Sequence, residues 1–341
     1  MKTTEKPHIQ SPLTWYADSK RSHKCVWIPY LNHIEQTKEG WDVTHRTGML
    51  RIDLKTAKTI MLYGGSGTVP LDFIRDIQRH QCVLVVHQRS NPIPILLHAS
   101  ASPDTKDVLT AQVLAASDQR KQAYIARTLL TARFKHMESR IVIPDSVYAS
   151  LSSERNVDRL RMIEATSTAR YWKEYFGSLN LSLTRREKHP VTDALNAGSA
   201  FLAALLLRWV LFHKLSPYHG YLHTQTGYPA LVYDLMEPYR YLIEDAVFSA
   251  WHEYRSPCRD FRHAVFENIK GSLDQKVWVP ATHQEAHQKS LLHGIVLALR
   301  AYLMTDTARF VVPVSGDKNG GLPVDIGLFS KYGQPRLSSM W

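Results

Sequence analysis

The order of apolar and polar positions divides this chain into a β-rich first part and a helical second part. Four short segments in the first part are rich in apolar and β-branched residues and are separated by turn formers, which is typical of strands. They are residues 45–53, 58–63, 82–87 and 93–98. Between the second and the third, Pro70 and the stripe of Phe73, Ile74 and Ile77 predict a short helix. The run Gly64 to Gly67 is predicted to form a turn.

Apolar positions take a helical period after about residue 107. Residues 107–137 contain neither Gly nor Pro, so they predict one long helix. Further helices are predicted over residues 158–176, 193–213, 238–253 and 284–304.

The sequence therefore predicts an α+β protein with two domains. A small β-rich domain is expected over residues 1–104 and a larger, all-helical domain over residues 105–310, with residues 105–140 as the interdomain helix. Residues 311–341 are rich in Gly and Pro and are expected to form an irregular tail.

Charge narrows the class of partner. The chain carries 42 Lys and Arg against 31 Asp and Glu, a net charge of +11. Such an excess favours a polyanion such as nucleic acid as partner, although basic residues can also serve solubility alone. The basic positions on the long helix, among them Arg133, are equally compatible with phosphate contacts and with a solvated face.

Three widely spaced cysteines form neither a disulfide framework nor a zinc site, and a reducing cytoplasm fits them best. The N-terminal residues have no apolar core, so no signal peptide is predicted. The most apolar run, residues 200–212, is short for a membrane span and contains Arg208, which favours a buried core helix.

Candidate metal ligands lie in residues 216–240, SPYHGYLHTQTGYPALVYDLMEPYR. His223 precedes Asp234 and Glu237, which are three residues apart and can share one face of a helix. An imidazole that converges with carboxylates suits a hard divalent cation such as Mg²⁺ or Mn²⁺. The competing interpretation is helix capping, with Asp234 as N-cap of a helix that has Pro238 in its first turn.

A third ligand is expected from Glu164. It lies in a predicted helix that also carries Tyr171, Trp172 and Tyr175, and a carboxylate on such a surface needs a partner or a cation. The alternative is an exposed glutamate paired with Arg161. His283 and His287 lie four residues apart, as the two histidines of a zincin helix do. The Glu that a zincin has directly after the first histidine is absent, so this segment is predicted to be an exposed turn.

Three segments carry a resemblance to a known family. They are IEATSTARYWKEYF at residues 163–176, DALNAGSAFLAALLL at residues 193–207 and the run at residues 216–240. Together they resemble the CRISPR-associated integrases of spacer acquisition, the Cas-one family. Three departures stand out: Ala165 where the family has Gly, Gly198 to Ala200 where it has a Ser-Tyr-Gly-like run, and Pro238 where another acid is common.

The resemblance implies roles for individual residues. The family's catalytic metal ligands fall on Glu164, His223 and Glu237, with Mg²⁺ or Mn²⁺ as cofactor. Asp234 becomes a supporting acid. Arg170 and Arg240 become candidates for contacts with the DNA backbone or with the carboxylates.

The function implied is that of a DNA integrase and endonuclease that joins the 3′-hydroxyl ends of short DNA fragments to a repeat array by transesterification. The resemblance also implies a homodimer that flanks a small ferredoxin-like Cas adaptation partner, without a membrane. Three alternatives remain open at this point: a transposon-borne integrase, a nuclease of branched DNA, and a non-catalytic nucleic-acid-binding scaffold.

Overall fold

A computed structural model describes residues 24–46, 48–88, 94–97, 105–225, 227–255 and 258–316. The chain is α+β. Its described residues fall into two compact units, one up to residue 97 and one from residue 105 onward.

The first unit is built on a six-stranded mixed sheet with the order β3-β2-β1-β4-β5-β6. The strands are β1 (Lys24–Thr37), β2 (Gly40–His45), β3 (Gly48–Ile52), β4 (Ala57–Thr68), β5 (Val83–His87) and β6 (Ile95–Leu97). Strand β4 runs parallel to both β1 and β5, and the other pairs are antiparallel. Helix α1 (Leu71–Arg79) connects the parallel strands β4 and β5 and buries Phe73 and Ile77 in the core of the unit.

The glycines in β4 correct one prediction. Gly64 to Gly67 do not form a turn, because the strand continues through them to Thr68 beside β1. A Cβ on Gly65 would lie 2.6 Å from the backbone nitrogen of Leu31, and one on Gly67 would lie 2.4 Å from the carbonyl oxygen of Asn32. The glycines therefore permit a close approach of two strands. Strand β1 itself was not predicted.

The second unit is mainly helical. Its helices are α2 (Val108–Ser117), α3 (Gln119–Met137), α4 (Asp145–Ser153), α5 (Val157–Ser178), α6 (Pro190–Phe212), α7 (Ala230–Met236), α8 (Tyr241–Tyr254), α9 (Arg259–Asp274) and α10 (Gln288–Leu303). A short 3₁₀ turn, Glu237–Tyr239, separates α7 from α8.

The predicted interdomain helix over residues 105–140 is wrong as a single element. Asp118 has an extended backbone, and its side chain accepts hydrogen bonds from the amides of Arg120 and Lys121. It thus ends α2 and caps α3. The run contains neither Gly nor Pro, and a capping Asp does not interrupt the apolar pattern. The break between the two helices could therefore not be predicted from periodicity.

Helix α6 forms the core of the second unit, where it packs against α7, α8, α9 and α10. It is long and apolar enough to cross a membrane, but 67% of its most apolar window is buried inside the protein. That burial is what a core helix requires.

The prediction of an all-helical second domain is also wrong in one place. Strands β7 (Lys276–Val279) and β8 (Gln284–His287) form an antiparallel hairpin between α9 and α10. The pair His283 and His287 therefore lies at this hairpin and not on a helix. Residues 311–316 have neither helix nor strand, yet the hydroxyl of Tyr239 donates to the carbonyl of Pro313 at 2.7 Å. The rest of the predicted tail, residues 317–341, lies outside the described residues.

Candidate metal centre

Three side chains from separate elements converge in the second unit. Glu164 lies on α5, His223 in the loop between α6 and α7, and Glu237 at the start of the 3₁₀ turn. One ligand atom of each lies within 4.8 Å of those of the other two. Mg²⁺ and Ca²⁺ lie roughly 2.0–2.6 Å from their oxygen ligands, so two ligands on opposite sides of one ion are separated by roughly twice that distance. A separation of up to 4.8 Å is therefore compatible with a single ion.

Asp234 organises the loop that carries His223. Its fully buried carboxylate accepts hydrogen bonds from the backbone amides of Tyr221 at 2.6 Å, Leu222 at 2.9 Å and His223 at 3.0 Å. It also bonds Nδ1 of His223 at 2.7 Å. Asp234 lies inside α7, which begins at Ala230, so the prediction that it is a helix N-cap is wrong. Its carboxylate instead accepts the backbone hydrogen bonds of the loop that precedes α7.

The contact with Asp234 fixes the His223 ring. Nδ1 faces the buried carboxylate, so Nε2 is left for a ligand, as in the carboxylate–histidine pairs of many metal sites. Burial alone lowers the pKa of His223, but the hydrogen bond and charge of Asp234, with the charges of Glu237 and Glu164, raise it to about 9.

Glu164 is half-buried and does not pair with Arg161, which lies 3.7 Å from Asp158 instead. Burial and then the charge of Glu237 raise the pKa of Glu164 to about 7. Two carboxylates that repel each other beside an imidazole form a place where a cation relieves the repulsion.

Glu237 is held by two arginines. Arg240 donates from Nε to Oε1 of Glu237 at 2.8 Å, and Nε of Arg133 lies 3.9 Å from the other carboxylate oxygen. Arg240 therefore makes a contact with a carboxylate, one of the two kinds of contact that the resemblance implied for it. Arg170, in contrast, is exposed on α5, and its side chain makes neither a hydrogen bond nor an ion pair with any described residue.

Arg133 is a residue whose role the sequence did not predict. It is buried in α3, and its guanidinium makes a bidentate pair with Glu244 at 2.6 and 2.9 Å. The hydroxyl of Tyr171 donates to the same carboxylate at 2.7 Å. A signal was present, because Arg133 shares a helical stripe with Leu129, Leu130 and Met137, all of which are buried.

Gln112 holds the other end of the loop. The fully buried side chain of this α2 residue donates to the carbonyls of Ser216 and His219, both at 2.9 Å, and accepts from the amide of Ser216 at 2.7 Å. Between the two anchors, a Cβ on Gly220 would lie 2.4 Å from the carbonyl oxygen of His223. The loop is thus clamped between Gln112 and Asp234 with no room for a side chain at Gly220.

The donor set of Glu164, His223 and Glu237 fits a divalent cation. Two carboxylates supply the oxygens that Mg²⁺ and Mn²⁺ prefer, and one imidazole adds the nitrogen that Mn²⁺ accepts more readily.

Comparison with known proteins places the chain in a family. The sequence profile of "CRISPR associated protein Cas1" matches residues 32–265. The CRISPR-associated endonuclease Cas1 1 of Moorella thermoacetica is 26% identical over 162 residues, which cover 43% of this chain and 46% of that protein. The Cas4 exonuclease–Cas1 endonuclease fusion of Geobacter sulfurreducens is 30% identical over 140 residues, 35% of this chain and 25% of the fusion. These alignments span less than half of either relative.

Solved structures show the same fold. A casposase bound to integration product superimposes with a TM-score of 0.73 at 17% identity, over 87% of this chain and 95% of that one. A CAS1 protein from Thermotoga maritima gives a TM-score of 0.68 at 17% identity, over 86% of this chain and 100% of that one. The family profile covers well over half of the sequence and includes the elements that bear Glu164, His223 and Glu237. The chain belongs to the Cas1 family of CRISPR-associated proteins.

Proposed function

We propose that the protein is a metal-dependent DNA integrase and endonuclease of CRISPR adaptation. The observation that carries the proposal is the convergence of Glu164, His223 and Glu237 within 4.8 Å in a chain with a net charge of +11. The names of the curated relatives, which are CRISPR-associated endonucleases, support the same activity.

Glu164, His223 and Glu237 would hold Mg²⁺ or Mn²⁺. When bound, the ion polarises the scissile phosphate and favours the deprotonated form of the attacking hydroxyl. Asp234 keeps the His223 ring in place, and Arg240 fixes one oxygen of Glu237. These contacts orient the ligands before the substrate arrives, so less reorganisation is needed in the reaction.

The proposed reaction is a transesterification. The 3′-oxygen of a short DNA fragment forms a bond to a phosphorus of the repeat strand, and the bond from that phosphorus to its former 3′-oxygen breaks. The proton of the attacking hydroxyl leaves, and the departing oxygen takes one up. The number of phosphodiesters is unchanged, so no energy-rich co-substrate is required.

Partners follow from the related assemblies. Structures with this fold include a Cas6-RT-Cas1–Cas2 complex, with a TM-score of 0.69, and a Cas1–DNA complex, with a TM-score of 0.53. We propose that this protein binds short duplexes and repeat DNA as a homodimer that flanks a small ferredoxin-like Cas adaptation partner in the cytoplasm.

Strand transfer of a short duplex into a supercoiled plasmid tests the proposal. We expect joined products with Mg²⁺ or Mn²⁺ and none with chelator. Glu237→Gln should lower the joining rate by at least about 100-fold, because an amide neither neutralises a cation nor repels Glu164.

Glu164→Gln serves as a test in which loss of folding is not expected. It removes a carboxylate that burial and Glu237 disfavour, so the metal-free melting temperature should stay the same or rise while joining is lost. Joining that persists at the wild-type rate in both variants would leave a non-catalytic DNA-binding scaffold as the better description.

A further inference from the structure

The buried guanidinium of Arg133 lies just outside hydrogen-bond distance of a proposed metal ligand. Its Nε lies 3.9 Å from Oε2 of Glu237, and this nitrogen makes no hydrogen bond with any described residue. A shift of about 1 Å would bring the two atoms to an ordinary hydrogen-bond distance. A buried N–H group of a cation that lacks an acceptor is unfavourable, so another contact has to keep the guanidinium where it is.

Glu244 provides that contact. Its carboxylate accepts hydrogen bonds from both terminal nitrogens of Arg133, at 2.6 and 2.9 Å, and both side chains are buried. A bidentate pair of this kind fixes the plane of a guanidinium as well as its position. A movement of Arg133 toward Glu237 would therefore disturb the pair with Glu244.

Tyr171 in turn fixes Glu244. Its hydroxyl donates to Oε2 of Glu244 at 2.7 Å, and the centre of its ring lies 5.1 Å from the guanidinium carbon of Arg133. Tyr171 follows Glu164 on α5 by seven residues, or two helical turns, so both lie on the same side of that helix. Tyr171, Glu244 and Arg133 thus connect the helix of one proposed ligand with the carboxylate of another.

This arrangement leaves one oxygen of Glu237 open. Arg240 donates to Oε1 at 2.8 Å, and within the part of the chain that the structure describes no hydrogen bond is made to Oε2. A guanidinium in direct contact with Oε2 would occupy that oxygen and place a positive charge against the cation. At 3.9 Å, Arg133 offsets the charge of the buried carboxylate without occupying the oxygen.

We propose that Glu244 is a positioning residue of the metal centre, which keeps Arg133 away from Glu237 and so leaves Oε2 of Glu237 free for the cation. The inference rests on the proposed function and deepens it, because it assigns a role in metal binding to a residue that is not itself a ligand. Glu244 acts only through Arg133, and Tyr171 supports it.

A Mn²⁺ titration of the full-length protein without DNA tests this role. In Glu244→Gln, Arg133 is free to close on Glu237, so we expect the Mn²⁺ affinity to fall by about 10- to 100-fold. The double variant Arg133→Gln/Glu244→Gln has no guanidinium to close on Glu237, so most of the lost affinity should return. If Glu244 only stabilised the fold, the double variant would bind Mn²⁺ no better than the single one.

Two tyrosines on α5 provide a matched pair of variants without a change of charge. Both are buried and bond Glu244, but Tyr171 donates to the carboxylate at 2.7 Å and Tyr175 to the backbone carbonyl at 2.8 Å. Tyr171→Phe and Tyr175→Phe should lower the melting temperature by similar amounts. Only Tyr171→Phe should weaken Mn²⁺ binding, by about 3- to 10-fold. This comparison also decides the question if Glu244→Gln does not fold.

A crystal structure of Glu244→Gln shows the movement directly. We expect a nitrogen of Arg133 within about 3.2 Å of a carboxylate oxygen of Glu237. The inference is overturned if Arg133 has not moved, if Glu244→Gln binds Mn²⁺ as the wild type does, or if the two tyrosine variants have equal Mn²⁺ affinities. A wild type that binds Mn²⁺ but joins no DNA contradicts the integrase alone, because neither the titrations nor this structure involve DNA.

Discussion

A single carboxylate, that of Asp234, meets two different requirements of the site. It satisfies three consecutive backbone amides of the loop and also orients the His223 ring. An asparagine at this position could not make all of these hydrogen bonds. One carboxylate oxygen would become an NH₂ group, which is a donor and would face backbone N–H groups that are donors as well. The loop conformation and the ligand orientation therefore depend on one residue.

Asp234→Asn should affect both properties. One of the two acceptor oxygens would become an NH₂ group, so one or two buried backbone amides would lose their acceptor, and we expect the free energy of unfolding to fall by about 2–4 kcal/mol. The Mn²⁺ affinity should fall by about 10- to 100-fold, the usual cost of losing an outer partner of a metal-bound histidine. Chemical denaturation and a Mn²⁺ titration of the folded protein measure the two effects.

Asp158→Asn is the matched control, because Asp158 is 84% exposed on α5 and pairs only with Arg161 there. It should leave both quantities within error of the wild type. Wild-type Mn²⁺ affinity in a folded Asp234→Asn protein would show that His223 does not depend on this contact.

At the scale of elements, α2 anchors the loop before α7. The break at Asp118 makes α2 a separate helix, and Gln112 on it makes three hydrogen bonds to the backbone of residues 216–219. A helix that contributes no ligand thus helps to set the position of His223.

Gln112→Met tests this anchor with a side chain of similar length. Two carbonyls and one amide would lose their partner, which should lower the free energy of unfolding by about 1–3 kcal/mol. The loop would also sample other positions, so we expect weaker Mn²⁺ binding. Gln119→Met, at an exposed position at the start of α3, should change neither quantity. An unchanged Mn²⁺ affinity in Gln112→Met would mean that Asp234 alone holds the loop.

Sequence periodicity predicted the long helices α5 and α6 well and missed several short elements of the second unit. The predictions for α5 and α6 lie within a few residues of the observed bounds, since long apolar stripes determine which face is buried. Short elements such as α7 and the β7–β8 hairpin gave too few residues for a period to emerge. They are defined by tertiary contacts instead.

Residues of the candidate site could be predicted only where they lie in a recognisable local segment of the sequence. His223, Asp234 and Glu237 share one segment. Glu164 became a candidate because it lies on a helix rich in aromatic residues, and the resemblance then joined it to the other ligands. The role of Gln112 could not be found in this way, because its partners are far away in the chain: its side chain bonds the backbone about a hundred residues later. Only the folded structure brings such residues together.

The molecule as a whole carries a net positive charge. We expect this charge to influence the affinity for DNA more than the rate of the joining reaction. With 42 basic and 31 acidic side chains, most of the binding free energy for a duplex should come from counterion release. In chelator, we expect the affinity for a short duplex to fall by at least about 100-fold between roughly 50 and 200 mM salt. Fluorescence anisotropy at several salt concentrations measures this slope.

Glu164→Gln provides the control for this prediction. It removes one negative charge near the proposed DNA path, so its affinity should equal or exceed that of the wild type although joining is lost. A salt-independent affinity would mean that contacts other than phosphates dominate binding.

The three proposed ligands come from separate elements of the fold, and this has a consequence for a newly synthesised chain. Glu164, the loop of His223 and the turn of Glu237 come together only after α5, α6 and α7 have packed and Asp234 has closed the loop. A chain released before that point has the acids and the histidine but no centre. We expect unfinished or damaged copies to lack the proposed DNA-cutting and DNA-joining activity, because the three ligands converge only in the folded chain.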